Sequence, residues 1–508
     1  MLRHSTCCDL TTTAIPTAEM PLGTPRLNPY NKLLSRLFEF LALFSILKKA
    51  AGPHVITNHD SSTLEATRRR FLKNLCFICD YKKGGDTTTS IAVENRPDCF
   101  MFWVAGNVTP SPKVVEFLRG VLSHLQEAEA ADPIRKRRLE VKLTEDSVHF
   151  STPRLKKECR LLCNAAKRCQ SYLSTGISGT SARDLEALKN WLVQFDFNTM
   201  ADILPLCQTT YRVRRDPQMR TLQVLSREDG AAIEHAKAFK TVEHFVGRLA
   251  ERIRVPKELV EDASRLGTLL NSHRAAAIPA PPPAVVPPAD GLTNLNSIAK
   301  RMLRAGDPRI KDFQEFLADL NKEMGLEDKV RTMYDREDTQ PSVHAELQML
   351  EFFHRGERVF FDNDRYIACS KLACLGCRLY FRHHPGRFVE PDSHQKVYIN
   401  WRPIILHEGP EDPLFLEQRA ILSHVSEDIS NILETDIAIQ RMNAISHPDS
   451  ITNITVSADS VFDSSEFEYE SSKDYETDEE TTPATEAGLK DAGESPDSDG
   501  ESEGGVAL

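Results

Sequence analysis

The sequence predicts an α/β fold with a long all-helical stretch and an acidic tail, and three observations lead there. Two short apolar runs, residues 87–94 and 99–104, read as strands joined by the turn cluster Asn95-Arg96-Pro97-Asp98. From Ser111 to about Leu270 apolar residues instead recur at helical spacing, as in the stripe Val114, Phe117, Leu118, Val121, Leu125. The charge is also lopsided. The 508 residues carry a net −11, but residues 459–508 hold 17 Asp and Glu against Lys473 and Lys490, which leaves +4 for the rest. A near-neutral body excludes both an acidic globular enzyme and a strongly basic nucleic-acid binder.

Taken in order, residues 1–28 are rich in Thr and Pro and read as disordered. Residues 30–107 hold a helix over 30–49, a second over 62–81 with Leu64, Phe71, Leu75 and Ile78 on one face, and the hairpin. Residues 108–274 read as a helical domain, with helices at 153–173, 182–195, 233–252 and 256–270. Residues 275–292 form a linker: 275–290 hold six Pro and six Ala, a polyproline II composition. Two more helices fit 293–330, at 292–305 and 308–324. The motif region is 335–405, with strands at 365–370 and 396–401. Residues 406–445 are helical again, and 446–508 form an acidic, disordered tail. The most apolar run, 37–47, is interrupted by Glu39 and is too short for a membrane, which needs about 20 residues. With no secretory h-region and no spanning segment, the expected setting is intracellular, cytoplasm or nucleus, without membrane association.

Twelve cysteines are too few for a disulfide scaffold, and three of them, Cys369, Cys374 and Cys377, arrive together after a gap from 208 to 368. His344-Ala345-Glu346 stands 30 residues before Cys374-Leu375-Gly376-Cys377. One imidazole and two thiolates make three ligands for a tetrahedral Zn2+ with an open fourth position, and a Glu that is not a ligand can shuttle protons beside it. That is the arrangement of zinc-dependent base deaminases. Positions i and i+2 do not share a helix face, so His344 and Glu346 converge only at a helix start, for which Ser342 is the expected N-cap. Cys374 and Cys377 share a face if they open a helix over 374–384. The other C-x-x-C, Cys76-Phe77-Ile78-Cys79, lies on an apolar helix and reads as core packing. Cys369 reads as a buried strand residue, with a redox or metal role as the alternative.

The run from His344 to Pro403 resembles the fungal branch of the cytidine-deaminase-like superfamily of nucleic-acid and nucleotide deaminases. The resemblance rests on Tyr366-Ile-Ala-Cys-Ser-Lys371, Cys374-Leu-Gly-Cys-Arg-Leu-Tyr-Phe-Arg-His-His384, Phe388-Val389, Pro391-Asp-Ser-His394 and Val397-Tyr-Ile-Asn-Trp401, together with Ile78-Cys-Asp-Tyr-Lys-Lys-Gly-Gly-Asp86. It covers about a fifth of the chain. It implies a three-layer α/β/α core, His344, Cys374 and Cys377 as zinc ligands, and Glu346 as proton shuttle. One departure is Ala373, where the family has Pro before the first Cys. Such a core also needs a helix and two strands ahead of the H-x-E helix, and 293–340 supplies helices but no strand. The expectation is therefore a split core, built from residues 60–107 and 335–405 with 108–330 as a helical insertion. Asn107 would then stand where family members hold the substrate sugar; the alternative is a turn residue.

The expected function is hydrolytic deamination of a cytosine- or adenine-type base in a nucleotide or single-stranded nucleic acid. Ser370, Lys371 and Trp401 are candidate rim residues. Residues 371–403 carry a local +4 interleaved with Tyr380, Phe381, Phe388 and Tyr398, which suits stacking on a polyanion or, equally, a core under a solvated face. Two other readings stay open. In one the zinc is structural, closed by His383, His384 or Cys369, in a non-catalytic helical scaffold. In the other Cys374 and Cys377 act as a thiol oxidoreductase pair. The base, the polymer or monomer state of the substrate, and the oligomeric state are not legible.

Overall fold

The computed structural model describes residues 27–48, 50–57, 62–174, 181–227, 233–303, 306–336 and 339–438. The expected disordered N-terminus (bar residues 27 and 28) and the whole acidic tail lie outside them. Helix α1 (Pro29–Leu47) starts where Asn28 Oδ1 accepts the Asn31 N–H at 2.7 Å with Pro29 in the first turn. Helix α2 (Leu64–Cys79) starts in the same way on Thr63. The hairpin follows as β1 (Thr89–Asn95) and β2 (Phe100–Gly106), antiparallel, with Thr89 opposite Gly106 and Asn95 opposite Phe100.

Eight helices come next: α3 (Pro112–Gln126), α4 (Pro133–Phe150), α5 (Thr152–Ser174), α6 (Ala182–Leu192), α7 (Ile203–Val213), α8 (Pro217–Leu225), α9 (Ile233–Ala263) and the short α10 (Gly267–Leu270). The two helices expected at 233–252 and 256–270 are largely one, because α9 runs straight through Pro256. An interior proline costs about 3 kcal/mol. Here apolar burial continues on both sides of it. Val242, Val246 and Leu249 pack into the core of the helical region, while Val255, Leu259 and Val260 pack into a second core beneath the sheet.

The expected linker is the larger correction. Its alanines form part of strand β3 (His273–Ala277), which pairs parallel to β2 with Phe100 opposite His273. The prolines after it are tied down by backbone contacts: Ala284 N–H donates to Pro341 O at 2.9 Å, and Ser35 Oγ–H to Pro288 O. Helices α11 (Leu295–Met302), α12 (Ile310–Met324) and α13 (Leu326–Asp335) precede α14 (Ala345–Arg355). The strand expected at 365–370 is only β4 (Ala368–Cys369), which pairs antiparallel with β1. The strand expected at 396–401 is not formed: Lys396 and Trp401 make single bridges, to Ala50 and Ser342, on either side of a turn. Helices α15 (Leu375–His383) and α16 (Phe415–Ala438) complete the chain.

The sheet order is β3-β2-β1-β4. Alternation along the strands feeds two cores. Ile91, Val93, Phe102 and Val104 join α2 and α3 on one face, while Ala92 and Ala105 join the cluster that holds α1, α14 and α15 on the other. The hairpin and the strand just ahead of the C-x-x-C helix thus belong to one sheet. No described helix is long and apolar enough to cross a membrane.

Candidate metal centre

Helix α14 starts two residues later than the sequence suggests. Ser342 is not the cap. It lies extended against the chain beyond, donating its N–H to Asn400 O at 2.7 Å and accepting from Arg402 N at 3.2 Å. His344 is the N-cap residue, with φ −71° and ψ 152°, and its own side chain caps nothing. Because position 344 is extended while 346 is helical, the two side chains meet: His344 Nδ1 lies 4.0 Å from Glu346 Oε1.

The cap that His344 does not provide comes from Asn107. Its Oδ1 accepts the Ala345 N–H at 2.9 Å, and its Nδ2 donates to Gly85 O at 3.0 Å. Gln348 adds a second clasp, donating Nε2 to Gly106 O at 2.9 Å and Val343 O at 2.8 Å. The end of β2 is therefore bolted to the first turn of α14.

Cys374 is the N-cap of α15, and its Sγ accepts the Cys377 N–H at 3.4 Å. The residues beside it are held by the segment 392–396. Ala373 N–H donates to Asp392 O at 2.8 Å, and Leu375 N–H to Lys396 O at 2.9 Å. This accounts for Ala373, since a proline there would have no N–H to give. Both cysteine Sγ atoms lie 3.5 Å from His344 Nδ1. The ligand atoms of His344, Cys374 and Cys377 all fall within 4.8 Å of one another, a set that could hold a metal ion.

Trp401, expected on a substrate rim, is buried at 2 % exposure and serves the cluster instead. Its Nε1–H donates to Cys377 Sγ at 3.1 Å. Gly376 makes room for the indole: a Cβ there would meet the ring at 2.7 Å. Ser370 also turns away from a rim, donating to Asp80 Oδ2 at 3.2 Å and accepting the Thr89 N–H at 3.1 Å. Lys371 Nζ donates to Gly84 O, and the half-buried Asn107 has both ends of its amide engaged within the fold.

The electrostatics favour a thiolate. Burial would raise the Cys374 thiol, but the neighbouring Cys377 and the charge and hydrogen bond of His344 pull it below its usual value. Cys377 moves up, through burial and then Cys374. Burial opposes protonation of His344, and the Cys374 thiolate overcomes it. Cys369, whose Sγ lies 3.9 Å from Glu346 Oε2, is pushed up to about 12 by burial and then by the Glu346 charge, so it stays a donor to that carboxylate. Of the suggested fourth ligands, His383 binds Asp428 at 2.8 Å and His384 lies 3.7 Å from Glu351; neither joins the three-ligand set.

Residues 343–404 match the family model of the OTT_1508-like deaminases. The matched family is a cytidine-deaminase-like one. The match is confined to a small part of the chain, and that part contains every residue of the three-ligand cluster and Glu346. No curated protein and no solved structure matched the chain. Sequence reasoning missed three features of this deaminase-like segment: Asn107 as the cap of α14, Trp401 as the donor to Cys377, and Cys369 as the donor to Glu346. A vacant N-cap, with no Ser, Thr, Asp or Asn at 344, was the one signal that pointed to a cap from elsewhere.

Proposed function

We propose that this protein is a zinc-dependent hydrolytic deaminase that converts the amine of a cytosine- or adenine-type base to an oxo group, releasing ammonia. The single observation that carries the reading is the convergence of His344 Nδ1, Cys374 Sγ and Cys377 Sγ beside a carboxylate that is not part of the set. One nitrogen and two sulfurs, with N–H donors from Cys377 and Trp401 aimed at the sulfurs, fit zinc better than harder cations. Zinc in such a set supplies Lewis-acid activation of water near neutral pH.

The chain's own residues do the rest. The N-termini of α14 and α15 meet at the cluster and favour negative charge there. Glu346 Oε1 takes a proton from the attacking water and returns it to the departing amine, and Cys369 steadies the other oxygen. The fold we infer around this site is a three-layer α/β/α core to which 60–107 and 335–405 contribute together with α3 and β3, so that the insertion is narrower than 108–330 and comprises the helices between those two elements. A nucleotide or single-stranded nucleic acid is the proposed substrate class, in keeping with the net positive charge of 371–403.

The test is an ammonia-release assay over free bases, nucleosides, nucleotides, single-stranded DNA and RNA, run with a zinc count. Glu346→Gln should keep the metal and lose about 10²–10⁴-fold in rate. Full activity in that variant would sink the mechanism.

A further inference from the structure

The three-ligand cluster sits where α14 and α15 begin. The opposite ends of the same two helices also meet, and each carries a histidine. His354 lies in the last turn of α14, and His384 is the C-cap residue of α15. Their ring centroids are 4.4 Å apart, edge to face. Glu417, in the first turn of α16, reaches them from a third element, with His354 Nε2 and Glu417 Oε1 3.0 Å apart. The ligand atoms of His354, His384 and Glu417 all fall within 4.8 Å of one another, as those of His344, Cys374 and Cys377 do.

His384 is the fixed member of the trio. It is 3 % exposed, and its buried Nε2 has no hydrogen-bond partner among the described residues. The neighbouring carboxylate does not supply one. Glu351 Oε1 lies 3.7 Å away, and Glu351 is committed to the Tyr380 hydroxyl at 2.5 Å and to Arg355 Nε at 2.7 Å. That second bond also offsets Arg355, whose charge would otherwise oppose a cation beside His384. The side chains of His354 and Glu417 are 27 % and 35 % exposed. Two adjustable groups that open to solvent therefore face one that is buried. Helix C-termini favour positive charge, and two of them converge here.

A buried polar atom left unpaired is costly. Two imidazoles and one carboxylate make a donor set that suits zinc and its d-block neighbours. Four-coordinate zinc, with bonds of about 2.0–2.1 Å, holds its ligand atoms about 3.3 Å apart. The His354–Glu417 pair is already that close, so the ion takes the place of the proton between them and needs only the space that the three ligand atoms enclose. We propose that His354, His384 and Glu417 form a second metal site, for a divalent cation of the zinc class, which ties α16 to the far ends of the two helices whose N-termini carry the first. The site stands independently of the deaminase reading. His384 Nδ1 accepts the Gly386 N–H at 3.0 Å, which leaves the neutral ring's proton on Nε2. Coordination moves that proton to Nδ1, and the turn at 385–386 gives up this one bond.

The experiment uses the full-length protein, dialysed against buffered Zn2+ with the zinc counted per chain. It is repeated with Co2+, whose thiolate charge-transfer band reports the His344, Cys374 and Cys377 set alone. The expected result is two equivalents. His354→Gln and Glu417→Gln change half-exposed side chains, so both variants should fold. Each should weaken one equivalent by about 100-fold or more, beyond what an outer hydrogen bond to a ligand is worth, and leave the thiolate band intact. One equivalent without a thiolate band, lost in both variants, would keep this site and remove the first. If the protein holds a single equivalent that carries the thiolate band, or if both variants bind two equivalents with wild-type affinity, the proposal fails.

Discussion

The chain contains two C-x-x-C motifs, and the fold uses them in opposite ways. Cys374 and Cys377 open a helix, whereas Cys76 and Cys79 close one. Both pairs are buried. At the start of α15, Cys374 receives the Cys377 N–H and faces His344, and its thiol is drawn down. At the end of α2 there are no free N–H groups to offer, Asp80 lies next door, and burial raises both thiols, Cys76 and Cys79 alike. Identical spacing therefore gives a candidate ligand pair or a piece of core, according to which helix end it occupies.

The largest test of that contrast compares Cys377→Ala with Cys79→Ala. The first should release the metal and all deaminase turnover, read by zinc stoichiometry and ammonia release. The second should keep a full complement of zinc and lose only about 1–2 kcal/mol of stability, read by denaturant unfolding. Equal zinc loss in both would mean that helix position does not decide the chemistry.

Next in size is Trp401→Phe. An aromatic ring stays near Gly376, though a smaller one, and the Nε1–H to Cys377 Sγ is removed. Donors to ligand atoms are typically worth about 10–100-fold in metal affinity. The expected outcome is a weakening in that range in a chelator competition, beyond the modest loss of Tm that the smaller ring causes in the metal-free protein. An unchanged zinc affinity would make Trp401 a packing residue only.

Asn107→Ala comes third. Losing this side-chain cap of α14 should cost about 1 kcal/mol. Because Ala345 sits between His344 and Glu346, kcat should fall while zinc stoichiometry holds. A pure stability loss with unaltered kcat would separate the hairpin from the site.

What was legible followed local rules, and what was not depended on distant partners. The helices over 30–49 and 62–81, the hairpin, and the His344 and Cys374–Cys377 grouping all announce themselves within a few residues or through a set of residue types that suits a metal. Strand β3 did not, because Ala275, Ala276 and Ala277 have no strand preference of their own and are recruited by the backbone of β2. Pro256 suggested a break that burial on both flanks overrides. Trp401 looked like an exposed aromatic in a basic stretch. Its burial depends on the absence of a side chain at Gly376, a pairing across 25 positions that no periodicity reveals.

The smallest effect concerns the residue just before the motif. Proline at 373 would match the family pattern and preset a helix start, which by itself argues for stabilisation. In this chain the same position donates its N–H to Asp392 O at 2.8 Å, accepts from His394 N at 3.1 Å, and bridges Ser393, so it belongs to a backbone clamp as much as to a helix. Ala373→Pro deletes one buried hydrogen bond and leaves Asp392 O without that donor, a cost of about 0.5–1.5 kcal/mol, against a smaller gain from chain stiffening of about 0.4–1 kcal/mol. The expected result is a slightly lower Tm with zinc still bound. A higher Tm would mean that the clamp through Asp392 contributes less than the stiffened start of α15, and that the C-x-x-C helix here is held by its cap alone.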